Sequence, residues 1–490
     1  MENSLGVSTN PHARRSKKRL FIGLGLALLL VLGLWTYFYF VSRTAERRLQ
    51  ATVTELDQAE PGWRLDELEA SRSKVPDEAN SALKVLAIGK SMPANWPGAD
   101  MSRRLENLIP PHALHPDQAQ VLSAEMDKVK SALEDARALK DFPDGRFPIV
   151  LNPNWIATSL PHVQEVPTVA SLLAYDALAR ALRNDLDGAV QSCHAGINVA
   201  RSIGDELFLI SQLVRIACRG MALARLEYVL GQGQASAKVL EDLQRLLEKE
   251  EAEPIFLFAV RGERAGAHQL MVTLKEGKVT VGQLVGTPVP LGNIQIGPFK
   301  LGEFLLSLKM GPVADQHNAL LKYMTEAVAI ARKPLEDQNA LFEQLEASSP
   351  NCEVLVQLLV PALRKISEAD RRSAAHLRCA IVMLAAERYR LAHQRWPKSL
   401  DQMVPDFLTK IPLDPFDKKL LRLKHLADGI MIYAVGPDGK DDGGKLDRSS
   451  PAAPGTDIGY RLWDPRDRRQ KPLEPPKETT PDPGEEQRDQ

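Results

Sequence analysis

The sequence predicts a mainly α protein: an N-terminal transmembrane helix, then a helical bundle or a stack of helical hairpins, then a small α+β module. Three observations predict it. The run Leu20–Val41 contains no charged residue. Between Thr168 and Glu251 apolar residues recur at helical spacing between short breaks. Beyond His393 that period gives way to two strand-like runs and a loop rich in Gly and Asp.

The run at 20–41 is long enough, at about 1.5 Å per residue, to cross a hydrocarbon core of roughly 30 Å as a helix that satisfies its own backbone. Trp35, Tyr37 and Tyr39 gather near its end, where amphipathic rings favour the headgroup layer. Arg14, Arg15, Lys17, Lys18 and Arg19 precede it, against Arg43, Arg47, Arg48 and Glu46 after it. The positive-inside bias therefore places residues 1–19 in the cytoplasm and the bulk of the chain outside it, in a periplasmic or equivalent space. A cleaved signal peptide would have a shorter apolar region and a small-residue cleavage site; Tyr39-Phe-Val-Ser-Arg43 offers none. The expectation is an uncleaved single-pass signal anchor.

The remainder suffices for a real core: the 490 residues are 44% hydrophobic and 26% charged. With 62 basic against 63 acidic residues there is no global field to attract nucleic acid, which is excluded as a partner. Cys193, Cys218, Cys352 and Cys379 are widely spaced in helix-like apolar contexts, without the close pairs of zinc or redox motifs, and are expected as buried thiols. Whether any two form a disulfide stays open.

Residues 43–167 read as a helical region with Pro-rich loops. The anchor helix continues to about Gln58, where Glu60-Pro61-Gly62 stops it. A short helix follows at Trp63, Leu65 and Leu68, and another at Glu78–Ile88 with Asp77 as its cap. Five prolines make 91–116 mostly loop, and Asp117 opens a helix to Leu139. The connector 142–167 is irregular because Pro lacks an amide hydrogen, and Trp155 within it is expected to cover a helical layer.

Residues 168–350 form the helical hairpin domain. A first helix ends near Asn184; Asp185 or Asp187 caps a second with Ala189, Cys193, Ile197 and Ala200 on one stripe. Gly204 closes it, Asp205 caps a third, and Ser236 opens a fourth. The segment around Leu178–Ala200 resembles one tetratricopeptide-type helix pair, which with its flanks covers about 34 positions and has no second copy. The Gly- and Pro-rich stretch 278–312 reads as a covering loop or short hairpin, and helices resume at 314–331 and up to 347.

From Cys352 a long helix runs to His393, with Pro361 at a start or kink. It gives way to a short helix at Ser399–Val404, strands at Leu420–Leu423 and Gly429–Val435, and a further strand at Asp457–Trp463. The order of long helix, Trp396-Pro397, short helix, Leu413-Asp-Pro-Phe416, two strands and Gly436-Pro-Asp-Gly-Lys-Asp-Asp-Gly-Gly444 resembles the globular head of the major pseudopilin of type II secretion, over Cys379 to Asp457. The module is set at 352–463. The resemblance implies a calcium-binding loop, with Asp438, Asp441 and Asp442 as metal ligands and Asp447 and Asp457 as further donors. Read by themselves, these residues supply carboxylates, and the glycines let carbonyls turn inward, as calcium's 6–8 oxygen ligands require. The chain departs from the family in its anchor, which carries no Glu and lies far upstream, so the head is expected as a reused C-terminal module. The tail 464–490 has too little apolar surface to fold and is expected to be disordered.

No H-E-x-x-H, G-x-S-x-G, Walker loop or post-strand G-x-G-x-x-G occurs. The best ionic cluster is Arg261, Glu263, Arg264 and His268, with Glu263 and His268 off the i,i+4 spacing. The expected function is a non-catalytic, membrane-anchored extracytoplasmic scaffold or interaction protein with a calcium-stabilised head, linked to secretion or envelope organisation. The alternative is a cell-envelope hydrolase with carboxylates in the helical domain, Glu263 among them. An internal cleft with two carboxylates about 5–10 Å apart would mark the alternative.

Overall fold

The computed structural model describes residues 11–278, 295–296, 299–300, 312–348, 354–450 and 453–473. Cys352 and nearly all of the stretch 278–312, expected as a covering loop or short hairpin, lie outside them; within it Gln295–Ile296 pairs antiparallel with Phe299–Lys300. The fold is mainly helical, with a small three-stranded sheet. The chain divides into two compact units.

The first unit comprises residues 1–63, 270–323 and 351–357. Its helix α1 (Pro11–Ala59) contains the one span among the described residues that is long and apolar enough to cross a membrane. Ile22, Leu24, Leu26, Leu28, Leu29 and Leu30 on it are all exposed. At its other end Leu49, Leu56 and Trp63 pack with Leu321, and the Trp63 indole donates to Asp57 Oδ1 at 2.8 Å. Arg48 Nη2 reaches both oxygens of Asp315, at 2.8 and 2.9 Å.

The second unit comprises residues 64–269, 324–350 and 358–490. Its early helices are α2 (Leu65–Ser71), α3 (Ser81–Ser91), α4 (Ala99–Arg104), α5 (Pro116–Asp127) and α6 (Lys130–Ala138). Two expectations change here. Asp77 begins only a 3-10 turn, and α3 is capped by Asn80, whose side chain accepts from the Ala82 amide. The expected helix from Asp117 to Leu139 breaks at Lys128 and Val129, and the break buries Val129.

The hairpins follow as α7 (His162–Leu182), α8 (Leu186–Arg201), α9 (Leu209–Gln232) and α10 (Ala237–Glu251). Asp185 caps α8 through the Gly188 amide, while Asp187 accepts from the Ser236 amide. Gly204 has φ +60°, the left-handed conformation expected of it, and a side chain there would meet the Gly145 carbonyl. Asp205 does not cap α9. It accepts from the Ser73 amide and pairs with Arg72, which leaves the cap of α9 to another carboxylate, described below.

Next come α11 (Ile255–Lys275), α12 (Val313–Ala331), α13 (Leu335–Ala347) and the long α14 (Val354–His393). The expected short helix at 399–404 is a 3-10 turn, Leu400–Met403. Strands β1 (Arg422–Leu426), β2 (Gly429–Ala434) and β3 (Ile458–Trp463) form an antiparallel meander with β2 central, pairing Arg422 with Tyr433 and Ala434 with Ile458. Ile430, Ile432 and Leu462 are buried with Cys379 and Leu384 of α14 and with Leu226 and Leu243 of the hairpins, in one cluster. The expected boundary near 350 is therefore not a boundary of packing within this unit: too small to stand alone, the sheet buries itself on the hairpin helices. Cys193, Cys218 and Cys379 are buried free thiols.

The first residues of the expected disordered tail are also ordered. Arg468 is buried, donating to the Trp463 and Gly233 carbonyls and pairing with Glu387 at 2.8 Å. A low apolar content missed this segment because charge, not apolar area, holds it. Residues 474–490 lie outside the described residues.

Candidate functional site

The Asp loop comes first, as the site the sequence singles out. Asp438 accepts from the Lys440 amide at 3.1 Å and the Gly455 amide at 3.0 Å. Asp441 accepts from the Gly443 amide, the Tyr433 hydroxyl and Arg422 Nε, at 3.0, 3.2 and 3.1 Å. The Asp442 carboxylate is exposed, and its amide donates to Asp457. Asp457, buried, also takes the Gly444 and Lys445 amides. Asp447 is spent on Ser449 and Ser450.

Two cations of β1 complete the loop. Lys424 donates to the Gly443 carbonyl, and Arg422 binds Asp441, Asp417 and the buried Asp414, the last at 2.7 Å. Because Arg422 and Lys424 are two apart on one strand, they share a face of the sheet. Amides from Gly455 and Lys440 hold the Asp438 carboxyl below the ordinary range. At Asp441 burial opposes ionisation, but the Gly443 amide, Tyr433 and Arg422 outweigh it and the carboxyl is again lowered.

Calcium would need these oxygens turned toward one point. Asp438 and Asp441 instead serve different partners, the Asp442 carboxylate is exposed, and no three acidic, His or Cys side chains among the described residues gather as a metal group. Arg422 and Lys424 supply positive charge at this loop. Sequence spacing had no means of showing Arg422, which lies before the loop and meets it only through strand pairing.

Glu263 of α11 has a positional role. Its carboxylate accepts from the Leu209 amide at 3.1 Å and the Trp155 indole at 3.2 Å. It thus caps α9 from a distance and pins Trp155, which stacks on Phe208 at 3.9 Å. Gly266 on the same helix lies so close under Trp155 that a side chain would meet the indole.

A buried cluster that motif searches miss joins His162, Glu206 and Ser211. His162 Nε2 lies 3.0 Å from Glu206 Oε1 and 3.4 Å from Ser211 Oγ, and Ser211 also binds Glu206. A nucleophile relay needs the imidazole between acid and hydroxyl, one nitrogen to each. Here one nitrogen faces both, and all three side chains are buried, which makes this a core polar cluster.

The deepest electrostatic feature is Glu250, fully buried at the end of α10. Arg201 Nη1 binds its Oε2 at 2.8 Å, while Arg215 Nε and Arg219 Nη1 bind its Oε1 at 3.0 Å each. Burial alone would raise its pKa; the three guanidinium groups more than reverse this and bring it to about 2. Beside it lies a cavity of about 310 Å³, lined by Arg219, by residues 250–257 and 331–338, and by Asp370, Leu377 and Arg378 of α14. Arg378 bridges Glu251 at 2.7 Å and Glu336 at 2.5 Å across its rim. Asp370 differs from all of these: burial pushes its carboxyl up to about 6, against the opposing pull of Arg219 and Arg378. No family model, curated protein or solved structure matches this chain.

Proposed function

We propose that this chain is a single-pass, membrane-anchored, non-catalytic scaffold or interaction protein, with its helical unit and C-terminal module outside the cytoplasm. The observation that carries it is what the sequence-nominated groups do. Glu263 caps a helix and pins Trp155, and the Asp loop binds its own amides. Chemistry needs such groups free to meet a substrate. The bare apolar face of α1 supports the anchor, and the basic residues before it support a cytoplasmic N-terminus. The order of long helix, meander and Asp loop supports a pseudopilin-like head and, with it, a link to secretion or envelope organisation.

Orientation is tested by fusing alkaline phosphatase or green fluorescent protein after Gln490 in a bacterial host. Phosphatase activity with no fluorescence is expected, and the reverse pattern overturns the proposed side. The calcium expected of such a head is tested on the full chain by melting with calcium and with chelator. A midpoint raised by calcium, and no longer raised in the Asp441→Ala, Asp442→Ala double variant, would put the ion back into this function.

The hydrolase reading has one observation in its favour: Glu250 and Asp370, at one cavity, have pKa values pushed apart, as an acid–base pair requires. Both Glu250 oxygens are taken by arginines, which leaves it no capacity to attack or accept a proton.

A further inference from the structure

We propose that the loop 147–161, with the start of α9 beside it, docks on the surface of a lipid bilayer through Val150, Ile156 and Ile210. The proposal rests on the reading of α1 as a membrane anchor, which keeps a bilayer within reach of the chain.

Exposure and the lack of charge carry the inference together. Val150 is 88% exposed and Ile156 69%, the two most open large apolar side chains among the described residues, more open than any on α1. Ile210 is 49% exposed. No Asp, Glu, Lys or Arg occurs from Phe147 to Gln164 or from Leu207 to Val214, in a chain of which 26% is charged. The two stretches meet where Trp155, next to Ile156, stacks on Phe208, two residues before Ile210. Charges carried into lipid are expensive, and these stretches hold none.

The backbone of the loop gives a second, independent sign. Lipid offers no hydrogen bonds, so an irregular segment that meets it must satisfy its polar groups from within. The Asn152 amide donates to Thr158 Oγ1 at 3.2 Å and the Asn154 amide to Asn152 Oδ1 at 2.8 Å. The Ala157 and Thr158 amides donate to the Asn154 and Trp155 carbonyls at 2.9 and 3.1 Å. Pro148 and Pro153 have no amide hydrogen to satisfy. The Trp155 indole is spent on Glu263, whose carboxylate also takes the Leu209 amide. Such internal pairing leaves this stretch little to ask of water.

Trp155 is buried between Phe208 and Gly266, so the tip is held on a fixed platform and loses little freedom on docking. Three side chains bury less apolar area than one myristoyl chain, which by itself gives only marginal, reversible membrane binding. The loop therefore adds to a tether and does not replace one.

The test uses the full-length chain in vesicles of phosphatidylcholine and phosphatidylglycerol, with an environment-sensitive dye on Ile156→Cys. Cys352→Ser is added, so that the native thiols left are the buried ones. Some vesicles contain lipid with a nitroxide high on its acyl chain, which quenches a dye only on close approach. The comparison dye sits on Lys238→Cys, at an exposed position of α10. Nitroxide lipid is expected to remove most of the fluorescence at position 156 and little at 238. Val150→Asp with Ile210→Asp should restore it, and at two surface positions the pair should leave the melting midpoint unchanged. Equal quenching at both positions, quenching that survives the Val150→Asp, Ile210→Asp pair, or no quenching in a chain that floats with its vesicles would each overturn the proposal and leave the anchor standing. A dye hidden from aqueous iodide yet untouched by nitroxide lipid would overturn it in favour of a protein cover. A chain that no longer floats with vesicles after a carbonate wash would overturn the anchor reading, and the docking loop with it.

Discussion

Glu250 and Asp370 line the same cavity and have opposite fates. Glu250 collects three guanidinium groups and remains ionised far into acid; Asp370 collects none and resists ionisation up to about 6. The exposed Asp loop belongs with Glu250 in kind, since its carboxylates are consumed by amides and by Arg422. The informative carboxylate is the one whose ionisation burial opposes without a paired cation.

The contrast breaks most sharply at Glu250. Glu250→Gln leaves buried Arg215 and Arg219 without their counter-charge, Arg201 keeping Asp144 and Glu253, and a loss of about 3–5 kcal/mol is expected in urea unfolding. In the parent chain its folded pKa of about 2 lies below the ordinary 4.5, so its contribution is complete above pH 4.5 and disappears as pH falls toward 2. Asp370→Asn goes the other way. Its folded pKa of about 6 lies above the ordinary 3.8, so the parent chain carries a penalty that is absent below 3.8 and complete above 6. The variant is expected to gain about 1–3 kcal/mol at pH 7.5, with the two urea curves converging near pH 3.8. No convergence would mean that the difference does not come from ionisation.

Smaller effects sharpen the comparison with the loop. Arg422→Gln removes the cation shared by Asp414, Asp417 and Asp441, and should cost about 1–3 kcal/mol by thermal or urea melting. The same variant gathers three uncompensated carboxylates, so millimolar calcium should raise its midpoint more than that of the parent chain. An equal response in both would show that Arg422 does not supply the loop's counter-charge. Asp442→Asn, at an exposed carboxylate, is expected to stay within about 0.5 kcal/mol.

The sequence made legible what depends on neighbours along the chain. The uncharged run of α1, the stripes of α8 and α9, the Gly204 turn and the strands after His393 all follow from local spacing. What it hid depends on distant partners. Asp205 has the position of a cap for α9, yet Glu263, 54 residues away, serves the Leu209 amide. Val129 has no breaker chemistry, and its burial is what interrupts α5 and α6. Asp370 looked like one charge among the many of Glu368-Ala-Asp-Arg-Arg372; only the packing of α14 against residues 250–257 and 331–338 sets it apart. In the loop, spacing located the carboxylates but not Arg422.

Arg468 has a consequence for how the chain matures. Glu387 is wholly buried, and half of its counter-charge is supplied by a residue 81 positions further on. At synthesis rates of about 5–20 residues per second, roughly 4–16 s separate the two as they leave the ribosome. Until then the carboxylate has only Arg390, three residues away, and the groove beside Gly233 that receives Arg468 is unfilled. The helical unit therefore closes late, Arg468 acting as a clasp, and a chain truncated at Trp463 would reach its destination with that clasp undone.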